Sequence, residues 1–166
     1  VTRGGMAIRF DENDVRPMGR TAAGVRAIRL KDGDEVVAAV RATDEDAAVL
    51  TVTENGYGKR TRIGEYSVQN RGGQGLKTYQ ITQKTGEIVG AKKVTGEEDI
   101  LLVSDDGTII RMEAGSISLL GRATQGVRLM RPAEGAHVVA MARTEREASE
   151  EETAEPGESA EEITEE

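Results

Sequence analysis

The chain repeats itself every 51 residues, and a repeat of that length restricts it to a few architectures. The stretches "GRTAAGVRAIRL" (19–30), "NRGGQGLKTYQI" (70–81) and "GRATQGVRLMRP" (121–132) superimpose without a gap. Gly24, Gly75 and Gly126 share one position of the pattern. Arg20, Arg71 and Arg122 share a second, and Arg26, Lys77 and Arg128 a third. A second register keeps the same spacing in "RGGMAIRF" (3–10), "ENGYGKRT" (54–61) and "DDGTIIRM" (105–112). It aligns Gly5, Gly56 and Gly107, and also Arg9, Arg60 and Arg111.

The dipeptides Gly4-Gly5, Asn55-Gly56 and Asp106-Gly107 are favoured in two-residue β-hairpin turns, where both residues take φ > 0. Apolar runs such as "AAVLTV" and "DILLVS" lead into them, so these segments are expected to be strand–turn–strand units. The runs "VVAAV" (36–40) and "IVGAKKV" (88–94) are expected to be strands as well. In the unit that starts at Gly75, four strands are expected at roughly 75–82, 87–93, 99–104 and 108–112. Four strands in about 40–50 residues is the size of a propeller-type blade. Residues 1–144 are expected to form about three blades, the first and last incomplete. Closed rings of such blades have about four to eight, so this chain alone is expected not to close one. Its opening residues already read as mid-structure, and we expect a piece of a longer, cytoplasmic protein.

The aromatic content, three Tyr and one Phe, leaves a core of Val, Ile, Leu, Met and Ala. Twenty glycines agree with an all-β chain of short strands and tight turns. There is no cysteine for a disulfide or thiolate metal site, and no apolar run long enough for a helical membrane span. The net charge of −8 hides an asymmetry. Residues 145–166 carry eleven Glu and one Arg, a net of −10, while the preceding body carries a net of +2. Such an acidic tail is expected to be disordered.

A Gly-rich loop flanked by cations can cradle phosphate through backbone N–H groups. The same glycines are also what a repeating turn needs, and that reading is favoured for Gly24, Gly75 and Gly126. A turn does not need arginine. The recurring Arg20, Arg71 and Arg122, with Arg26, Lys77 and Arg128, form either the footprint of a polyanion or a set of solubilising charges. The tyrosines align with apolar residues or a hairpin position: Tyr66 with Val15 and Ile117, Tyr79 with Ile28 and Met130, Tyr57 with Met6 and Thr108. They read as sheet packing and not as nucleophiles. His137, the single histidine, has no evident Ser or Cys partner for a triad. Asp105-Asp106-Gly107 lacks the further carboxylates of a calcium loop. We expect neither catalytic nor metal-binding residues.

The runs "RFDENDVRPMGRTAAGVRAIRLKDGD", "ENGYGKRT", "SDDGTIIRM" and "ISLLGRATQGVRLMR", followed by an acidic tail, resemble the C-terminal domain of the DNA gyrase A protein over about residues 1–143. The related domain of the topoisomerase IV A protein is the alternative within that superfamily, and a protein-binding propeller the alternative outside it. The resemblance implies a β-pinwheel, a propeller-like ring whose neighbouring blades exchange strands. It implies a basic rim that wraps double-stranded DNA in support of ATP-dependent negative supercoiling. The implied DNA contacts are Arg20, Arg26, Arg71, Lys77, Arg122 and Arg128, with Arg9, Arg60 and Arg111 as further candidates. "QNRGGQG" (69–75) is similar to the family's Gln-Arg-Arg-Gly-Gly-Lys-Gly box but has Asn70 and Gln74 in place of Arg and Lys. The remaining implications are a bacterial, nucleoid-associated type II topoisomerase and an A2B2 heterotetramer with the gyrase B protein. The ATP, Mg and strand-cleavage sites would lie outside this chain.

Overall fold

The computed structural model describes residues 1–146; of the acidic segment expected to be disordered, 145–166, all but Glu145 and Arg146 lies outside the described residues. The architecture is all-β. Its strands are β1 (Met6–Ala7), β2 (Ala48–Thr53), β3 (Tyr57–Arg62), β4 (Leu76–Lys77), β5 (Ile88–Val94), β6 (Asp99–Ser104), β7 (Ile109–Glu113), β8 (Val127–Arg128) and β9 (Val138–Thr144). Three short 3-10 turns at Glu12–Asp14, Ile63–Glu65 and Ala114–Ser116 keep the 51-residue period. Among the described residues no helix is long and apolar enough to cross a membrane.

The best-formed blade is a four-stranded antiparallel sheet in the order β5-β2-β3-β8. Its fourth strand comes from the next repeat, through Tyr57↔Arg128 and Gly58↔Val127. The same exchange joins the repeat before it, where Met6↔Lys77 and Ala7↔Leu76 pair β1 with β4. The third sheet, β7-β6-β9, repeats the hairpin and its inner strand. The expected strand 75–82 is therefore shorter than its pattern: two residues pair, and they pair with the preceding hairpin. The expected strand 36–40 is reduced to a single bridge, Thr2↔Val36. The counterpart of β2 in that repeat is only Val1 and Thr2, so most of the ladder that holds β5 has no equivalent there.

The hairpin turns also differ from expectation. Gly5, Gly56 and Gly107 have positive φ, but no non-glycine residue among the described ones does. The Gly56 N–H donates to Thr53 O at 3.0 Å, and the Gly107 N–H to Ser104 O at 3.0 Å. These are three-residue loops, a turn followed by a glycine in the left-handed region, and not two-residue turns with two left-handed positions. Asn55 instead uses its side-chain amide to donate to Gln83 O and Lys84 O of the adjacent loop, at 3.3 and 3.2 Å.

The core lies between blades. β2 is buried at every position, because both its faces are covered. Leu50, Val52, Val94, Ile100, Leu102, Ile117, Met130 and Val138 form the main cluster. Burying each such side chain contributes about 1.5–3 kcal/mol. Tyr66 and Tyr79 pack where their counterparts Ile117, Met130 and Ile28 also pack.

Candidate nucleic-acid interface

Each repeat sends an arm around the hairpin of the repeat before it. Residue Leu119 bridges Arg60 in parallel, and Val68 bridges Arg9 in the same way. The arm then makes the Gly-rich loop and ends in the exchanged strand. This explains the loop glycines. At Gly75 (φ +76) a Cβ would lie 2.4 Å from Ala7 O, and at Gly126 (φ +73) 2.5 Å from Gly58 O. The backbone of the arm presses onto the hairpin, and the left-handed turn delivers it there. The groove lined by Gln69, Asn70, Gly73, Gln74 and Gly75 also carries Asp11 and Asp14, whose carboxylates oppose a phosphate. The loop is a blade connection and not a phosphate cradle.

The cations of the first register come together across repeats. Arg71 Nη1 donates to Arg26 O at 2.6 Å, and Arg122 Nη1 donates to Lys77 O at 3.3 Å. Each loop arginine is thus tied to the backbone that carries the outer cation of the preceding repeat. Arg71 Nε also donates to Asp14 O at 3.2 Å. Two links of the same kind thus join cations of neighbouring repeats, Arg71 to Arg26 and Arg122 to Lys77. The side chains of Arg20, Arg26 and Lys77 are exposed and take no hydrogen-bond or ion-pair partner among the described residues. The Arg128 guanidinium lies 4.7 Å from the centroid of the Tyr57 ring and donates to its hydroxyl at 2.6 Å. Lys84 stacks on the same ring at 5.4 Å. Desolvation alone would raise the Tyr57 hydroxyl, but the Arg128 hydrogen bond and the two cations hold it below the usual phenol value.

The second register sits elsewhere. Arg9 Nη1 donates to Ile63 O and Tyr66 O at 3.3 and 3.2 Å, and its Nη2 pairs with Glu45 at 3.0 Å. Arg60 does much the same one repeat on, donating to Ile117 O, the counterpart of Tyr66, at 2.7 Å and to Gly115 O at 2.9 Å. These guanidiniums cap the carbonyls of the next repeat's 3-10 turn. Arg111, in the last repeat, pairs instead with Asp99 at 2.8 Å and Glu145 O at 2.9 Å.

Two features escaped the sequence reading. Arg41, Lys92 and Arg143 also recur at 51 residues. They line a groove of about 620 Å³ where 39–43, β5 and β9 converge. β5 and β9 are the edge strands of their sheets, where charge blocks further strand pairing. The second feature is Lys59, fully buried at a position where the sibling repeats carry Ile8 and Ile110. A cation in an apolar column of the repeat was the available signal.

His137 lies beside Asp105, with Nδ1 3.8 Å from Oδ2. The tyrosine hydroxyls are engaged: Tyr66 with Thr78 Oγ1 at 2.5 Å, and Tyr79 with Gln125 O at 2.5 Å. Burial pushes both phenols above their usual range.

Comparison with known proteins agrees with this geometry. The family model "DNA gyrase C-terminal domain, beta-propeller" matches residues 1–43, 47–95 and 98–145, one stretch per repeat. The DNA gyrase A protein of Staphylococcus epidermidis (strain ATCC 12228 / FDA PCI 1200) is 51% identical over 141 residues, which is 84% of this chain and 16% of that protein. Its counterpart in Staphylococcus aureus (strain MRSA252) is 49% identical over 148 residues, 87% of this chain and again 16% of the relative. Among solved structures, a DNA gyrase A C-terminal domain superimposes with a TM-score of 0.81 at 31% identity, over 87% of this chain and 49% of that one. The C-terminal domain of DNA topoisomerase IV gives a TM-score of 0.82 at 26% identity, over 87% of this chain and 45% of its own. With its three repeats matched and its strand-exchanged blades superimposed, this chain belongs to the DNA gyrase C-terminal domain family.

Proposed function

We propose that the rim bearing Arg20, Arg26, Arg71, Lys77, Arg122 and Arg128 binds double-stranded DNA along its phosphates and bends it, as the wrapping module of a gyrase A protein. The observation that carries this reading is the stitching of successive cations into one row by Arg71→Arg26 O and Arg122→Lys77 O. The turn is satisfied by its glycines, and the outer cations Arg26 and Lys77 make no side-chain contact among the described residues that the fold would need. Guanidinium and ammonium groups along a curved surface suit a polyanion read by charge and shape. The chain spans 16% of the curated relatives it matches, so the activity of the whole enzyme is part of the proposal. In it, this module supports ATP-dependent negative supercoiling by an A2B2 heterotetramer with the gyrase B protein, on the bacterial nucleoid. Strand cleavage, ATP and Mg belong to other segments, and this chain supplies no catalytic group. The engaged, buried Tyr66 and Tyr79 support that last point. Topoisomerase IV is the second reading, favoured by its TM-score of 0.82. The 51% identity to a gyrase A protein weighs toward gyrase.

Titration of the chain with linear duplexes of unrelated sequence, at several salt concentrations, tests the proposal. The expected result is similar affinity for each sequence and a log–log salt slope of about 0.9 per phosphate contact. Arg26→Ala and Lys77→Ala, which break no described hydrogen bond, should each lower the slope by about one. A slope near zero for the unmodified chain overturns the proposal.

Arg60 serves as a contrast. We assign it, like Arg9, to packing between repeats. Arg60→Met should cost about 1–3 kcal/mol of stability, because Ile117 O and Gly115 O lose their donor. Thermal melts read that loss, and the salt slope of the folded variant should stay at the unmodified value.

A further inference from the structure

We infer that Lys59 is a positioning residue for the proposed DNA rim: a buried ammonium that holds residues 121–126 in the form that presents Arg122. The inference rests on the DNA reading above.

Lys59 is 0% exposed. Its Nζ donates to Gly121 O at 2.6 Å, to Arg122 O at 2.5 Å and to Thr124 Oγ1 at 3.0 Å. An ammonium has three N–H groups, and all three are used on one loop. The Tyr79 ring lies 5.0 Å from Nζ on the inner side. The same loop is held by Tyr79 Oη on Gln125 O, by the Gln80 N–H on Thr124 O at 3.0 Å, and by Thr61 Oγ1 on Leu120 O at 2.9 Å.

A blade does not need this cation. The siblings Ile8 and Ile110 occupy the same position of their hairpins. In the preceding junction, Ile8 packs toward Gly73, which stands where Thr124 stands here. Burying a charge is costly unless its partners compensate, and an isoleucine would avoid that cost. The loop, not the blade core, is what the lysine serves. It also places a positive charge directly behind the backbone of Arg122.

This arrangement has a pH signature. Burial lowers the Lys59 ammonium from the usual lysine value to about 8, with Glu65 raising it and Arg122 lowering it. Glu65, Arg122 and the Tyr79 phenol are the titratable groups that face it. Above that pH a neutral amine has two N–H groups for three acceptors, and the rim loses a charge. DNA affinity should fall. Fold stability should move the other way. The unfolded chain binds the proton up to about 10.5, so between about 8 and 10.5 the unfolded state carries more protons and stability rises with pH. A lysine that only supported the fold would not separate the two trends.

The test uses the full chain and its Lys59→Met and Lys59→Ile variants, with a linear duplex as probe. Affinity, salt slope and thermal melts are followed from about pH 7 to about pH 10. At the low end each variant should bind roughly three- to tenfold more weakly, as expected for the loss of charged hydrogen bonds. Amide exchange at residues 122–126 should quicken. As pH rises past about 8 the unmodified chain should approach the variants in affinity while its melting temperature rises relative to theirs. Folded variants with unmodified affinity and slope overturn the inference. If neither variant folds, an affinity of the unmodified chain that stays flat across the pH range overturns it. Weak binding by Arg26→Ala and Lys77→Ala alongside normal binding by the Lys59 variants would leave the rim standing and remove the anchor. A flat salt slope for every form would remove the rim itself.

Discussion

Replacing Arg20, Arg71 and Arg122 together by alanine is expected to lower duplex affinity by up to about a hundredfold and the salt slope by about three. Three exposed ion pairs at up to about 1 kcal/mol each set the first figure. The second is the counterion release forgone when three phosphates lose their partners. The loss should be equal for unrelated sequences, because phosphates carry no base information. Arg71 and Arg122 also hold the backbone at Arg26 and Lys77, so part of the effect is a loosened row. Comparison with Arg26→Ala and Lys77→Ala separates the two contributions. A triple variant that melts like the unmodified chain and keeps its slope would show that these arginines only solubilise the surface.

Gly56→Val should be the most damaging single change in the molecule, at least about 4 kcal/mol. Two effects add. Gly56 sits at φ +80, where a β-branched residue is strongly disfavoured. A Cβ there would also lie 2.1 Å from Met130 O and 2.9 Å from Met130 C, both backbone atoms that the exchanged arm cannot easily move. Tyr57→Ala should cost less, about 3 kcal/mol, the low end for an aromatic truncation, because Lys84 and Arg128 lie over the ring. Chemical denaturation of both variants gives the order. Equal losses, or a larger one for Tyr57, would contradict the packing of the arm against the hairpin.

The architecture was legible because a 51-residue period and dipeptides such as Asn55-Gly56 are local facts of the chain. The turn type was not. Asn-Gly serves two-residue and three-residue loops alike, and the choice depends on strand register, here the pairing of Val52 with Gly58. The destination of Leu76 and Lys77 was also hidden. Their pattern is that of any strand, and only the fold shows that their partners lie about 70 residues earlier, at Ala7 and Met6. Recurrence of a cation was ambiguous for a physical reason: a repeat preserves whatever its interfaces need. Arg60 and Arg122 recur equally well, yet the first caps carbonyls of the following repeat and the second reaches back to Lys77 O of the preceding one. Lys59 was missed because a search for recurrence passes over the residue that breaks it.

The exchanged strands determine where mechanical load goes. Bending a duplex by tens of degrees over 20–30 base pairs stores on the order of 1–6 kcal/mol, and a bent duplex pushes back on whatever restrains it. A pull on residues 121–126 is not borne by the sheet that follows them in the chain. It passes through β8 into β3, through Leu119 to Arg60, and through Nζ of Lys59, all in the sheet before. The β8–β3 rungs, Tyr57↔Arg128 and Gly58↔Val127, run across the two strands, so a pull along the arm loads both together in shear and not one after the other as in peeling. Tension at one blade is thereby shared with its neighbour, and the array resists as a linked belt instead of a row of separate pegs.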